Sequence, residues 1–102
     1  MAVLYVTEYS NPGRESSGTA MFMAQEPPIA NQVVAIGGTT TSSSAFNVRT
    51  SYVRIHTDAI CSIEIGASPA ATTTTRRMGA GATEYFAVPV GLSYKVAVIT
   101  NT

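Results

Sequence analysis

Ser51-Tyr52-Val53-Arg54-Ile55-His56-Thr57-Asp58-Ala59-Ile60-Cys61-Ser62-Ile63-Glu64-Ile65-Gly66 is the stretch that decides the fold class. Val53, Ile55 and Thr57 alternate with Tyr52, Arg54 and His56, and Cys61, Ile63 and Ile65 alternate with Ser62 and Glu64. A period of two puts alternate side chains on opposite faces of a strand, so the stretch reads as two strands around a tight reversal. Paired as a hairpin, its register follows from the loop. A two-residue loop, Asp58-Ala59, places Val53 and Ile55 on the face of Ser62 and Glu64. A three-residue loop, Asp58-Ala59-Ile60, sets Thr57 opposite Cys61, Ile55 opposite Ile63 and Val53 opposite Ile65. It also sets Arg54 opposite Glu64, a cross-strand ion pair worth roughly 0.2–1 kcal/mol. The longer loop keeps one face apolar and is the expected register, although such loops usually end in Gly where this one has Ile60.

Working outward, the same alternation marks Tyr94–Thr100, with Tyr94, Val96 and Val98 against Lys95, Ala97 and Ile99. Thr83–Val88 sets Glu84, Phe86 and Val88 against Tyr85 and Ala87. Phe46 and Val48 suggest a short strand, and Arg76-Arg77-Met78 another or its end. Thr72–Thr75 reads as an extended segment, and Pro89-Val90-Gly91-Leu92 as a turn. Upstream, Val34 and Ile36 are in phase and Val33 is out of phase. The run Thr39–Ser44 is too polar to pack and reads as a loop or frayed edge strand. Ala2–Tyr9 forms a strand with apolar residues on both sides, buried on two faces or covered by a partner. After the turn signal Ser10-Asn11-Pro12-Gly13, Ala20–Ala24 is one helical turn or an extended arm that ends at Pro27-Pro28. Met21, Phe22 and Met23 there either dock on another chain or plug the core.

The expected architecture is one all-β domain over residues 1–102, a small β-sandwich or jelly-roll-like barrel of seven or eight short antiparallel strands with an extended N-terminal arm. Residues 1–44 supply the first strand, the arm and the Thr/Ser-rich loop, and residues 45–102 supply the core strands.

Charged residues make up 12% of the 102 positions and the formal net charge is zero. A weakly charged surface repels its own copies poorly and favours assembly. A nucleic-acid partner is not expected, because nothing supplies the basic face that phosphates require. No apolar run approaches the ~20 residues of a membrane span. The first residues meet Glu8 too early for a secretory leader, so synthesis in a cytoplasm is expected.

His56 and Cys61 are the single histidine and cysteine and invite a dyad, but the expected register puts them on opposite faces. They cannot build a zinc site, and the six acidic residues are too scattered for calcium, so no cofactor or metal is expected. Arg76 and Arg77 form the one basic pair. As adjacent strand residues they point to opposite faces, which suits a surface or interface ion pair better than a shared clamp. No catalytic constellation emerges and an enzyme is not expected.

The order Val53–Gly66, Ala67-Ser68-Pro69-Ala70-Ala71-Thr72, Arg76–Gly81, Thr83–Val88 and Tyr94–Ile99 resembles small structural proteins of tailed-bacteriophage virions. The first 45 residues match more loosely, through Tyr5–Tyr9 and Gln25–Pro28. Within such virion sets the chain looks most like a capsid decoration, or cement, protein. The resemblance implies a homo-oligomer, dimer or trimer, that binds the major capsid protein on the capsid surface after assembly in the host bacterial cytoplasm. Tyr5, Tyr9, Phe22, Met23, Arg76 and Arg77 are the candidate interface residues. The alternative is a tail, neck or fibre-associated module that binds glycans, which adjacent exposed aromatics would favour.

Overall fold

In a computed structural model the described residues are 2–10, 12–14, 20–24 and 27–101, with the backbone alone for 12–14 and 20–24. They form strands only: β1 (Val3–Tyr9), β2 (Pro12–Arg14), β3 (Ala20–Ala24), β4 (Ala30–Ala35), β5 (Thr41–Ser42), β6 (Tyr52–Thr57), β7 (Cys61–Gly66), β8 (Arg76–Met78), β9 (Thr83–Ala87) and β10 (Lys95–Thr100). Eight of them build two antiparallel sheets, ordered β4-β1-β6-β9 and β5-β10-β7-β8. Apart from β1–β4 and β7–β8, each connection within the sandwich passes from one sheet to the other, as in a jelly roll.

The deciding stretch is correctly two strands but not a hairpin. β6 is bonded to β1 and β9, and β7 to β10 and β8, so neither has an edge left for the other. Asp58-Ala59-Ile60 instead carries the chain across the sandwich. Val53, Ile55 and Thr57 do share an interior with Cys61 and Ile63, but they face them from the opposite sheet. Arg54 and Glu64 lie in different sheets and form no cross-strand pair. The anomaly at Ile60 disappears with the hairpin. A crossover of this kind needs no left-handed residue, and Ser93 is the one described non-glycine residue with positive φ.

Thr57 fastens this corner. Its buried hydroxyl donates to the Ala59 carbonyl at 2.6 Å and accepts from the Ala59 N–H at 3.2 Å and the Cys61 thiol at 3.4 Å. The core joins Leu4, Val6, Val34, Val53 and Ile55 of one sheet to Cys61, Ile63, Met78, Val96 and Val98 of the other. It is therefore not confined to residues 45–102: β1 is an interior strand, and β4 packs Val34 inward while Val33 points out.

Two loop segments depart from their expected strands. Phe46 is buried but Val48 is exposed in a turn, because local side chains take the backbone bonds that a ladder would have used. Asn47 Oδ1 accepts from the Arg49 N–H and the Asn47 carbonyl from the Thr50 N–H, both at 3.0 Å. Thr72–Thr75 likewise closes into a turn, with the Thr75 N–H and hydroxyl both on the Thr72 carbonyl. Between β1 and β4, β2 and β3 pair only with each other, Pro12 opposite Ala24 and Arg14 opposite Ala20. The arm is thus extended rather than helical.

Candidate interaction surface

The two outer faces of the sandwich are not equivalent. On the β5-β10-β7-β8 sheet, Ser62 and Ala97 point away from the core yet are fully buried. The connection from β7 to β8 lies over them. The Ala71 N–H donates to Thr40 Oγ1 at 2.9 Å, and Asn101 Nδ2 donates to Ser62 Oγ at 2.6 Å and to the Thr73 carbonyl at 3.2 Å. These bonds strap residues 71–73 across the sheet.

The β4-β1-β6-β9 sheet keeps its outer face largely open. Strand register sets its side chains in rows: Val33, Tyr5, His56 and Thr83, then Asn31, Thr7, Arg54 and Tyr85. Val33 is 62% exposed, Tyr85 58% and Tyr5 41%. The Tyr5 and His56 rings lie 6.2 Å apart, and His56 Nδ1 is 2.7 Å from Thr83 Oγ1. Arg54 is the one Lys, Arg, Asp or Glu side chain in these rows. The result is a mixed face in which Val33, Tyr5 and Tyr85 stand exposed among His56, Thr83, Asn31 and Thr7, with Arg54 as its one formal charge; low charge is usual at the cores of protein interfaces.

The candidate residues are dispersed over the molecule. Tyr5 sits in the middle of the open face. Tyr9 lies on the same side of β1 but is buried and stacked on Tyr52 at 5.3 Å, so it has little surface to offer. Phe22 and Met23 fall in β3, where their side chains lie outside the described residues. Arg76 and Arg77 do point to opposite faces: Arg77 pairs with outward Ser62, and Arg76 with inward Ile63. Arg76 finds an aromatic ring rather than an acid, its guanidinium carbon 4.6 Å from the Phe86 centroid. It stands at a cleft of about 590 Å³ between β8 and β9, with Ile63, Ile65, Phe86, Val88 and Tyr94 among its lining.

His56 and Cys61 are not brought together. His56 is on an outer face, whereas Cys61 is buried between the sheets, where desolvation pushes its thiol pKa up and the Thr57 hydrogen bond only partly offsets this. Among the described residues no three acidic, histidine or cysteine side chains are placed to hold a metal ion. No described helix is long and apolar enough to cross a membrane.

Glu8 is the important side chain that pattern reading misses. It points into the sandwich at 1% exposure and accepts from Gln32 Nε2 at 2.8 Å, the Asn47 N–H at 2.7 Å and the Thr50 hydroxyl at 2.8 Å. Gln32 in turn accepts from the Ser44 N–H at 2.8 Å and donates to its carbonyl at 3.2 Å. Together they seal the β4–β5 side of the sandwich. The one available signal was Glu8 falling in phase with Leu4 and Val6.

No protein-family model matches this chain, and no curated protein or solved structure matches it. Fold and surface define its class: a small jelly-roll domain with one strapped and one open outer face.

Proposed function

We propose that this chain is a structural protein of a tailed-bacteriophage virion that decorates the capsid and stabilises it. The residue order that resembles such proteins supports the lineage. The observation that carries the reading is the open face on which Tyr5, Val33 and Tyr85 are exposed among neutral polar side chains, with few charges on it or anywhere in the chain. A cement protein needs such contact area toward the major capsid protein, and it needs no catalytic group. By binding the assembled shell and not its separated subunits, it stabilises the shell by mass action. Repetition over a symmetric lattice multiplies weak individual contacts. On this reading the protein is made in the host bacterial cytoplasm and resides on the capsid surface.

A second reading, a tail, neck or fibre-associated module that binds glycans, draws on the cleft where Phe86 and Tyr94 flank Arg76 and Thr74. One experiment separates the two. Purified protein is mixed with expanded, undecorated capsids of the encoding phage, and the particles are imaged and melted. Stoichiometric density at local symmetry axes with a raised shell melting temperature is the expected result. A bare shell, with density at the tail or neck of native virions, removes the capsid reading and makes the cleft the next target.

A further inference from the structure

The four sheet edges are protected unequally. β5 is two residues long, and β4, with six residues and no charge, reaches the Ser44 backbone beyond β5, among the described residues, only through the Gln32 side chain. β8 is three residues long and carries two arginines. β9 has five residues, no proline and no lysine, flanks the cleft, and has the inward-facing Glu84 as its one charge. Natural proteins normally blunt such an edge.

The orientation of the β9 backbone follows from the bonds beside it. The Val88 N–H bonds to the Ser51 carbonyl, and the Thr57 N–H to the Ala82 carbonyl. Alternation along an antiparallel ladder then turns the peptide groups of Glu84 and Phe86 toward β6 and those of Thr83, Tyr85 and Ala87 away from it. Among the described residues nothing accepts from or donates to these outward groups.

We propose that β9 pairs antiparallel with β9 of a second copy of this chain across a two-fold axis at Tyr85, joining the two β4-β1-β6-β9 sheets into one. In that register Tyr85 meets the partner's Tyr85 and Thr83 meets the partner's Ala87, and each pair exchanges the free backbone bonds. Glu84 then faces the partner's Phe86 as a non-hydrogen-bonded pair, the closer of the two pair types, with Cα atoms about 4.5 Å apart. Arg76 lies over Phe86 within each chain. The Glu84 carboxylate of one copy is thereby brought to the Arg76 guanidinium of the other, twice by symmetry. Neither residue has an ion-pair partner within the single chain among the described residues. Charge complementarity thus selects a second copy as the occupant, and the pairing places two open aromatic faces side by side. The proposal stands on the sheet edge and is independent of the capsid reading.

Sedimentation equilibrium of the full chain, with amide hydrogen exchange, tests it. The wild type is expected to dimerise, with the Thr83, Tyr85 and Ala87 amides protected at high concentration and exposed on dilution. Glu84→Arg or Arg76→Glu alone is expected to weaken the dimer about tenfold, and the double reversal to restore it to within about threefold. Tyr85→Pro removes an N–H that β6 does not use, and it is expected to give a folded monomer by circular dichroism. A monomer at every concentration, a trimer, or a dimer indifferent to charge reversal overturns the proposal. Charge reversal carries the test if the proline variant does not fold.

Discussion

The carboxylate of Glu8 and the hydroxyl of Thr50 meet 2.8 Å apart inside the sandwich, each side chain 1% exposed. This bond ties the first strand to the loop that leads into β6, a separation of 42 residues. Glu8 also holds the Asn47 N–H and the Gln32 amide. Glu8→Ala strands all three donors and is expected to cost about 2–4 kcal/mol in urea unfolding. Thr50→Val removes one donor and should cost less, about 1–2 kcal/mol. Equal stability of Glu8→Ala and wild type would show that the carboxylate does not organise this loop.

Thr57 is a second buried polar group whose value is local. Its hydroxyl bonds both ways with the Ala59 backbone where the chain crosses from β6 to β7. Thr57→Val keeps the volume and leaves the Ala59 N–H and carbonyl without that partner. A loss of about 1–2 kcal/mol is expected. Thr57→Ser keeps the bonds and should fall between valine and wild type. If valine is as stable as wild type while serine is destabilised, the methyl group and not the hydroxyl secures the corner.

These residues mark where pattern reading stops. Period two located β1, β6, β7, β9 and β10, and it put Val53, Ile55, Cys61 and Ile63 on one apolar side; it set Val96 and Val98 together without saying that their side is the interior. It could not distinguish side-by-side pairing from packing across a sandwich, since both put the same side chains on the same apolar side. Which edges of β6 were free depended on β1 and β9, both distant in sequence. Glu8 escaped for a related reason: its donors come from residues 32, 47 and 50, and no local window contains them. The open face was only half legible. Tyr5 was picked out by its apolar neighbours, whereas Val33 and Tyr85 join it only through the sheet register.

That face yields a prediction that separates binding from folding. Val33→Ser and Tyr85→Ser change exposed positions. Each is expected to shift unfolding free energy by no more than about 0.5 kcal/mol. On the proposed capsid reading, their combination should lower capsid occupancy about tenfold or more at fixed protein concentration, as expected when central apolar contacts are removed from an interface. Unchanged occupancy with an intact fold would assign docking to another surface.

Cys61 couples the core to pH. Burial raises its thiol pKa above the ordinary value, with the Thr57 hydrogen bond acting in the opposite direction. A raised folded-state pKa means that the unfolded chain loses its thiol proton first as pH rises. The stabilising contribution is therefore complete below the ordinary thiol pKa of about 8.5 and disappears as pH climbs through the raised folded value. Cys61→Ala removes this ionisation, along with some packing. Its stability relative to wild type should improve above about pH 8.5 and be flat below it. Thiol-reactive dye should label native Cys61 only at the rate of unfolding, because the thiolate is the nucleophile and the buried sulfur is both protonated and covered. Fast labelling of the native protein at neutral pH, or a parallel pH dependence in Cys61→Ala, would place the sulfur in contact with solvent and remove the crossing at Thr57 as its shield.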